Sequence, residues 1–346
     1  MKILIDINHP AHVHYFRNFY SIMKAKGHEI LFVSRNKEIE HRLLNLYHIP
    51  FVSRGKGQNG KISKFIYLVY ADLKILLLAL NFKPDLFLNF LHPYPSHVAK
   101  LLNKVSLVFS DSEHAKLHHQ LTVPFATKVL TPSCYRIDLG KKHIRFNGYM
   151  ELAYLHPNYF KPDPSILTIL NVKEDDKFVI VRFVSWAAAH DFGHAGMSLV
   201  NKRKAVLELS KYATVFISSE GILPDDLEKY RIKIPFDKMH DALYYSALLF
   251  GESATMASEA AVLGTPSLFI NSNGCGYTDE EESKYHLVNN FTESEEDQEK
   301  ALQKALEIIQ EKNGKEKYDT YRQSLLSDCI DTTAFMVNEV LKYEKK

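Results

Sequence analysis

The sequence belongs to the α/β class, read as two doubly wound domains facing each other across a cleft, and three features of the chain point there. Short apolar, β-branched runs alternate with helical stretches from end to end. The alternation occurs twice, and segment 147–165, with Gly148, Pro157, Pro162 and Pro164, separates the two series as a linker. The chain has 346 residues, beyond the usual size of one domain and suited to two of roughly 150 to 180 residues. The expected domains are 1–160 and 161–346, the second ending in a helix free to pack back on the first.

In the first domain, 2–7 and 29–34 read as strands around a helix over 13–26, whose Phe16, Phe19, Tyr20 and Met23 share one face; this is a βαβ unit, and Gly27 stops its helix. A helix over 38–47 leads to a third strand at 49–52, followed by a basic, glycine-rich loop at 54–61. Residues 65–82 form a very apolar helix of about 18 residues, interrupted by Asp72 and Lys74. A helix packed on its domain, or touching a membrane, is expected there in preference to a span. Further strands fall at 86–89, 106–109 and 128–130.

In the second domain, strands are expected at 178–183, 213–218, 248–250 and 267–270, and helices at 202–210, 239–246 and 254–263. The tail, 294–343, reads as helical and charged on one face. No internal repeat or low-complexity tract interrupts the pattern.

Hydrophobic residues make up 46% and charged residues 24%, values of a globular enzyme and not of a disordered or fibrous chain. Cys134, Cys275 and Cys329 are odd in number and far apart, which suggests neither a disulfide framework nor a zinc ligand set and fits a reducing cytoplasm. The opening run reads as a buried strand rather than a signal peptide, because Asp6 interrupts it. The net charge of +2 hides an asymmetry: residues 1–160 hold 21 Lys and Arg against 10 Asp and Glu, and the remainder 22 against 31. A basic half suggests an anionic partner, such as a phosphorylated lipid carrier, the inner membrane surface or nucleic acid, although scattered surface lysines give the same count.

Segment 251–266 carries the clearest chemistry. It places small residues at the start of a helix directly after an apolar strand. The free N–H groups of that first turn and the positive end of the helix dipole favour a phosphate or diphosphate without a metal. Glu259 lies six residues after Ser253, on the second turn, where a carboxylate can accept hydrogen bonds from ribose hydroxyls. The same pattern also describes an ordinary strand–loop–helix connection in which Ser253 only caps the helix. Arg182, at a strand end, offers a charge-assisted phosphate contact or a plain surface ion pair.

His9, His12 and His14 follow the first strand, where a neutral imidazole can take a proton from an attacking hydroxyl. Capping and packing roles account for two of the three equally well. No carboxylate or Cys completes a ligand set with them, so no metal is expected. Asp111, Glu113 and His114, after another apolar run, form a second acid/base group, with Asp111 also suited to a helix N-cap. Trp186, His190 and His194 in segment 185–194 suit a sugar-facing loop, a core-packed Trp being the alternative.

The opening Ile5-Asp6-Ile7-Asn8-His9-Pro10-Ala11-His12-Val13-His14, the stretch Phe109-Ser110-Asp111-Ser112-Glu113-His114-Ala115 and segment 253–266 together resemble a domain-of-unknown-function family, number 354, of the glycosyltransferase-B superfamily. That superfamily includes the peptidoglycan N-acetylglucosaminyltransferase and UDP-N-acetylglucosamine 2-epimerase, and the resemblance spans nearly the whole chain. It implies a glycosyltransferase-B-like fold of two Rossmann-like domains, the first serving the acceptor and the second holding the nucleotide sugar. Ser253, Ala254 and Thr255 would then meet the diphosphate, Glu259 the ribose, and a backbone edge around Ile234 the base. His12 aligns with a His of the first-domain loop, but Asn8-His9-Pro10-Ala11 replaces the glycines of that turn. Glu113 is similar to a carboxylate in a His-x-Glu stretch of the epimerase.

The expected function is a metal-independent glycosyltransferase that uses a UDP-linked sugar to make a surface glycan or glycolipid and needs no cofactor beyond its donor. Its expected catalytic residues are His12, His14, Asp111 and Glu113, and its donor-binding residues Arg182, Ile234, Ser253, Ala254, Thr255 and Glu259. The partners are a nucleotide sugar and a glycan or lipid-linked acceptor, with peripheral contact between the basic first domain and the inner face of an anionic membrane. Nucleic acid is not expected, because the basic residues are dispersed. Two other readings stand beside this one: a UDP-sugar epimerase or hydrolase of the same fold, and a non-enzymatic sugar-nucleotide or glycan-binding protein. The strand exit Arg182-Phe183-Val184-Ser185 lacks the Gly-His-Arg-Arg-Glu type of sequence of the epimerase, which favours the transferase.

Overall fold

A parallel strand that is apolar on both faces must be covered on both, and the helix that returns the chain to the next strand does the covering. The computed structural model describes residues 1–57, 60–184, 196–219 and 221–344. It divides into one unit of Met1–Tyr154 with Cys329–Lys346 and another of Leu155–Asp328.

The first unit contains β1 (Lys2–Ile7), α1 (Pro10–Ala25), β2 (Glu29–Ser34), α2 (Glu38–Leu46), β3 (Phe51–Ser53), α3 (Lys61–Phe82), β4 (Leu86–Phe90), α4 (Pro93–Leu101), β5 (Val105–Phe109), α5 (Lys116–Thr122), β6 (Lys128–Pro132) and β7 (His143–Phe146). The short α6 (Leu152–Leu155) leads onward. The second unit contains α7 (Ser165–Leu170), β8 (Phe178–Phe183), α8 (Leu199–Leu209), β9 (Thr214–Ser219), α9 (Asp225–Glu228), α10 (Met239–Tyr245), β10 (Leu248–Gly251), α11 (Ala254–Leu263), β11 (Ser267–Ile270), α12 (Gly276–Ser283), β12 (Val288–Phe291), α13 (Glu295–Gln310) and α14 (Gly314–Asp328). The chain then returns to the first unit as α15 (Thr332–Leu341).

The first sheet has the order β3-β2-β1-β4-β5-β6-β7 and the second β12-β11-β10-β8-β9, with parallel pairing throughout. Strand order therefore reverses between β1 and β4 in one sheet and between β8 and β10 in the other. At such points successive helices leave on opposite faces and open a crevice at the carboxyl ends of the strands.

Several elements differ from the sequence reading. α1 starts at Pro10 rather than at residue 13, because His9 caps it, accepting from the Ala11 amide at 3.2 Å, and proline suits the first helical position. His12 is thus a helical, not a loop, residue. β7 (His-Ile-Arg-Phe) and β12 (Val-Asn-Asn-Phe) escaped the hydropathy pattern because half of each is polar. The tail is three helices rather than one run. Its last break is set by Asp331, which accepts from the Ala334 amide, and α15 is held on the first unit by Thr332 and Thr333 hydroxyls donating to the Tyr149 and Ala153 carbonyls at 2.7 Å each.

The helix expected to be packed, α3, is packed only on one side. Ala71, Ile75 and Ala79 are buried, the last two in a cluster with Leu4, Phe87, Val98 and Ala99, while its outer face is open.

β10 ends against β8 with Gly251 opposite Arg182. A Cβ at Gly251 would lie 2.1 Å from the Arg182 carbonyl oxygen, so only glycine allows this closeness. Gly251→Ala is expected to destabilise the protein by about 2 kcal/mol or more, read as a lower urea midpoint. An unchanged midpoint would show that the backbone yields at no cost.

Candidate active site

In the second unit the reversal point lies between the ends of β8 and β10, where Gly251, the last residue of β10, pairs with Arg182. Glu252 follows, buried, its carboxylate accepting from the amides of Val184 at 3.1 Å and Met197 at 2.6 Å and meeting the buried Lys202 ammonium at 3.1 Å. A charged pair so desolvated persists only when its remaining valences are satisfied, and the two amides do this. The pair fixes the start of α11. Ser253 is its N-cap, accepting from the Met256 amide at 3.3 Å. Among the described residues the amides of Ala254 and Thr255 meet no acceptor, and Ser253, Ala254 and Thr255 are partly exposed whereas Met256 to Leu263 are buried. That arrangement is an anion-accepting helix start.

Glu259, one turn further, is buried with His240, whose Nε2 stands 3.0 Å from Glu259 Oε1. This contact draws the start of α10 onto α11, so the half-buried Ile234 lies in the segment leading to Glu259's partner. The Arg182 guanidinium donates to Ser218 Oγ at 3.0 Å, across from β8 to β9. Trp186, His190 and His194 lie outside the described residues.

In the first unit the reversal point gathers a cluster of buried polar groups. Asp6, near the end of β1, is fully buried, and Arg54 Nε donates to its Oδ1 at 2.8 Å. Arg54 also donates to the Tyr67 hydroxyl. Asp6 Oδ2 faces His92 Nδ1 at 3.6 Å, and neither atom has a hydrogen-bond partner among the described residues. Burial raises the Asp6 carboxyl to about 6 despite Arg54. His12 packs among Phe90, His92 and Tyr15, with ring centroids 4.6, 5.5 and 5.8 Å away. Burial, and then the neighbouring His9, hold its pKa well below 6.5, and burial does the same to His92. Both rings are therefore neutral at physiological pH.

Tyr15 ties His12 to the second acid/base group. Its hydroxyl lies 3.4 Å from both Asp111 Oδ2 and Glu151 Oε1. Asp111 also accepts from Ser112 Oγ at 2.9 Å, and burial, reinforced by Glu113, raises its carboxyl to about 6. Of the four acid/base candidates, His12 and Asp111 are joined through Tyr15. His14 turns the other way, stacked on Tyr154 at 5.3 Å, with Tyr47 and Arg17 at 3.5 Å from Nδ1. Glu113 accepts from the Arg136 amide at 3.1 Å, and His114 is exposed. The residues that sequence reasoning passed over are Asp6, Arg54, His92, Tyr15, Glu151 and Glu252. One signal was legible: a lone Asp inside an apolar strand needs a partner.

Two parallel-sheet units, each doubly wound, build a two-domain Rossmann-like architecture, the glycosyltransferase-B fold. Solved structures of that type superpose on the whole chain. A UDP-GlcNAc 2-epimerase from Neisseria meningitidis, bound to UDP-GlcNAc, gives a TM-score of 0.71 at 14% identity over 99% of this chain and 100% of that one. A UDP-GlcNAc 2-epimerase from Methanocaldococcus jannaschii gives 0.67 at 12% over 99% and 100%. A spinosyn rhamnosyltransferase complexed with spinosyn aglycone gives 0.63 at 13% over 98% and 100%. The chain belongs to the family described as "Protein of unknown function (DUF354)", which matches residues 1–345. An uncharacterized protein of Methanocaldococcus jannaschii is 26% identical over 280 residues, 78% of this chain and 81% of its own length.

The Asp111 carboxyl has a sign that can be measured. Its folded pKa of about 6 exceeds the ordinary 3.8, so the folded state holds this proton more tightly, and ionisation subtracts stability as pH rises between those values. Asp111→Asn is expected to stabilise by about 1–3 kcal/mol near about pH 7.5 and by little near about pH 4. Urea unfolding at both values checks this; equal shifts would contradict it.

Proposed function

We propose that the protein is a metal-independent glycosyltransferase that takes a UDP-linked sugar and transfers the sugar to a glycan or lipid-linked hydroxyl. The observation that carries the reading is the start of α11. Ala254 and Thr255 are partly exposed at a strand-order reversal, their amides without an acceptor among the described residues, and Ser253 and the buried Glu252–Lys202 pair hold this turn. Such donors stabilise the charge that develops on a departing diphosphate, and being fixed beforehand they need no reorganisation. Glu259, oriented by His240, takes the ribose, and the backbone around Ile234 takes the base. Arg182 adds positive charge at the end of β8.

In the first unit the neutral imidazole of His12 acts as the base. The acceptor oxygen forms a bond to the anomeric carbon as the bond from that carbon to the diphosphate oxygen breaks. The acceptor proton passes to His12, and UDP leaves with the electron pair. Asp111, linked through Tyr15, serves as the second proton-holding group.

The Asp111–Tyr15–Glu151 cluster also favours a second reading, a UDP-sugar epimerase or hydrolase, because such enzymes need several proton-transfer groups around the sugar. Incubation with a UDP-sugar separates the two: a transferase releases UDP only when an acceptor-bearing membrane extract is added, whereas conversion without acceptor supports the second reading.

By calorimetric titration, Glu259→Gln is expected to weaken UDP binding about tenfold or more, since it removes the charge that ribose hydroxyls donate to. His12→Asn is expected to bind UDP as the native protein does and to lower kcat by about 10²–10⁴-fold. Native UDP affinity in Glu259→Gln would remove the ribose assignment, and an unchanged kcat in His12→Asn would remove the base.

A further inference from the structure

We propose that the outer face of α3 docks in the interface of an anionic lipid bilayer. Residues Phe65–Phe82 have a mean hydropathy of 1.8, yet only 22% of that stretch is buried. Phe65, Ile66, Val69, Tyr70, Leu73, Leu77 and Leu80 are all exposed, Leu77 to 66%. At 1.5 Å per residue they form an apolar stripe roughly 22 Å long. Phe125, edge-on to His97, which in turn binds Asp72 of α3 at 3.0 Å, widens it.

An outer helix of an α/β unit ordinarily turns charged residues to water. α13 does so: its exposed positions are Glu295, Glu296, Lys300, Gln303, Glu307 and Gln310. α3 reverses the pattern, and a contiguous apolar face of this size marks an interaction surface.

Charge selects the occupant. Residues 55–84 carry five lysines and a single acidic residue, Asp72, which His97 engages. The unit that bears α3 holds 24 Lys and Arg against 13 Asp and Glu, and the other unit 19 against 28. An apolar face on a segment this rich in lysine suits acyl chains beneath anionic headgroups. A second copy pairing through the same face would bring two lysine-rich segments of like charge together. A membrane span would require Ile75 and Ala79 to leave the core they share with Leu4 and Phe87. α3 therefore lies on the bilayer, parallel to its plane.

Co-sedimentation of the full chain with vesicles tests this. Binding is expected to vesicles of phosphatidylcholine with about one-third phosphatidylglycerol, to fall with added salt, and to be weak on phosphatidylcholine alone. The double variant Leu73→Glu/Leu77→Glu is expected to lose affinity at least about tenfold, while Val200→Glu/Ile222→Glu, at exposed apolar positions of the other unit, keeps it. In Tyr70→Trp, which leaves the stripe apolar, fluorescence is expected to shift to the blue on anionic vesicles and to be quenched by brominated acyl chains. No binding by the native chain, equal binding by Leu73→Glu/Leu77→Glu, or an unshifted Tyr70→Trp would overturn the proposal. So would a lipid-free dimer that Leu73→Glu/Leu77→Glu converts to monomer.

Discussion

The closeness of Gly251 to the Arg182 carbonyl is the constraint on which the second unit's candidate site depends. It brings β10 to its end beside β8, so that the next residues turn directly into α11. Glu252 then locks the turn against Lys202 and two backbone amides, and Ser253 caps the helix. A helix start always has amides without intrahelical acceptors. What is particular here is that four neighbouring contacts fix them in place. Glu259, carried on the next turn, inherits its position from the same constraint and its orientation from His240.

The first unit applies the same geometric rule with different chemistry. Its reversal point holds buried side chains, Asp6 with Arg54 and two neutral histidines, where the second offers backbone amides. A buried ion pair costs desolvation that only good hydrogen bonds offset, and Asp6 and Arg54 leave one oxygen and one nitrogen without a partner among the described residues. Stability alone does not call for such a group. Asp6 stands near the end of β1, facing His92, which in turn packs on His12, so its charge bears on the candidate site. The two units also differ in charge and surface, since the basic one carries α3.

How much of this was legible in the sequence follows from how local each signal is. The α11 segment was legible to the residue, because strand, cap, small first turn and Gly264 stop are contiguous. The doubly wound class was legible because apolar runs alternate with helical periods. β7 and β12 were not, because edge strands with polar residues lack that signature. The first-unit candidate site was half legible. His12 and Asp111 stood near strand ends, but the residue joining them, Tyr15, reads as one more aromatic on a helix face. Arg54, 48 positions from Asp6, reads as part of a basic loop until the fold buries it. The face of α3 was ambiguous for a related reason, since hydropathy reports apolar content and not which side the core covers.

The most direct measurement is backbone amide NMR during titration with UDP. The largest displacements are expected at Ala254 and Thr255, with smaller ones toward Glu259 and His240. Saturable UDP binding that leaves the Ala254 and Thr255 amides unmoved would contradict the placement of the diphosphate, and with it the proposed chemistry.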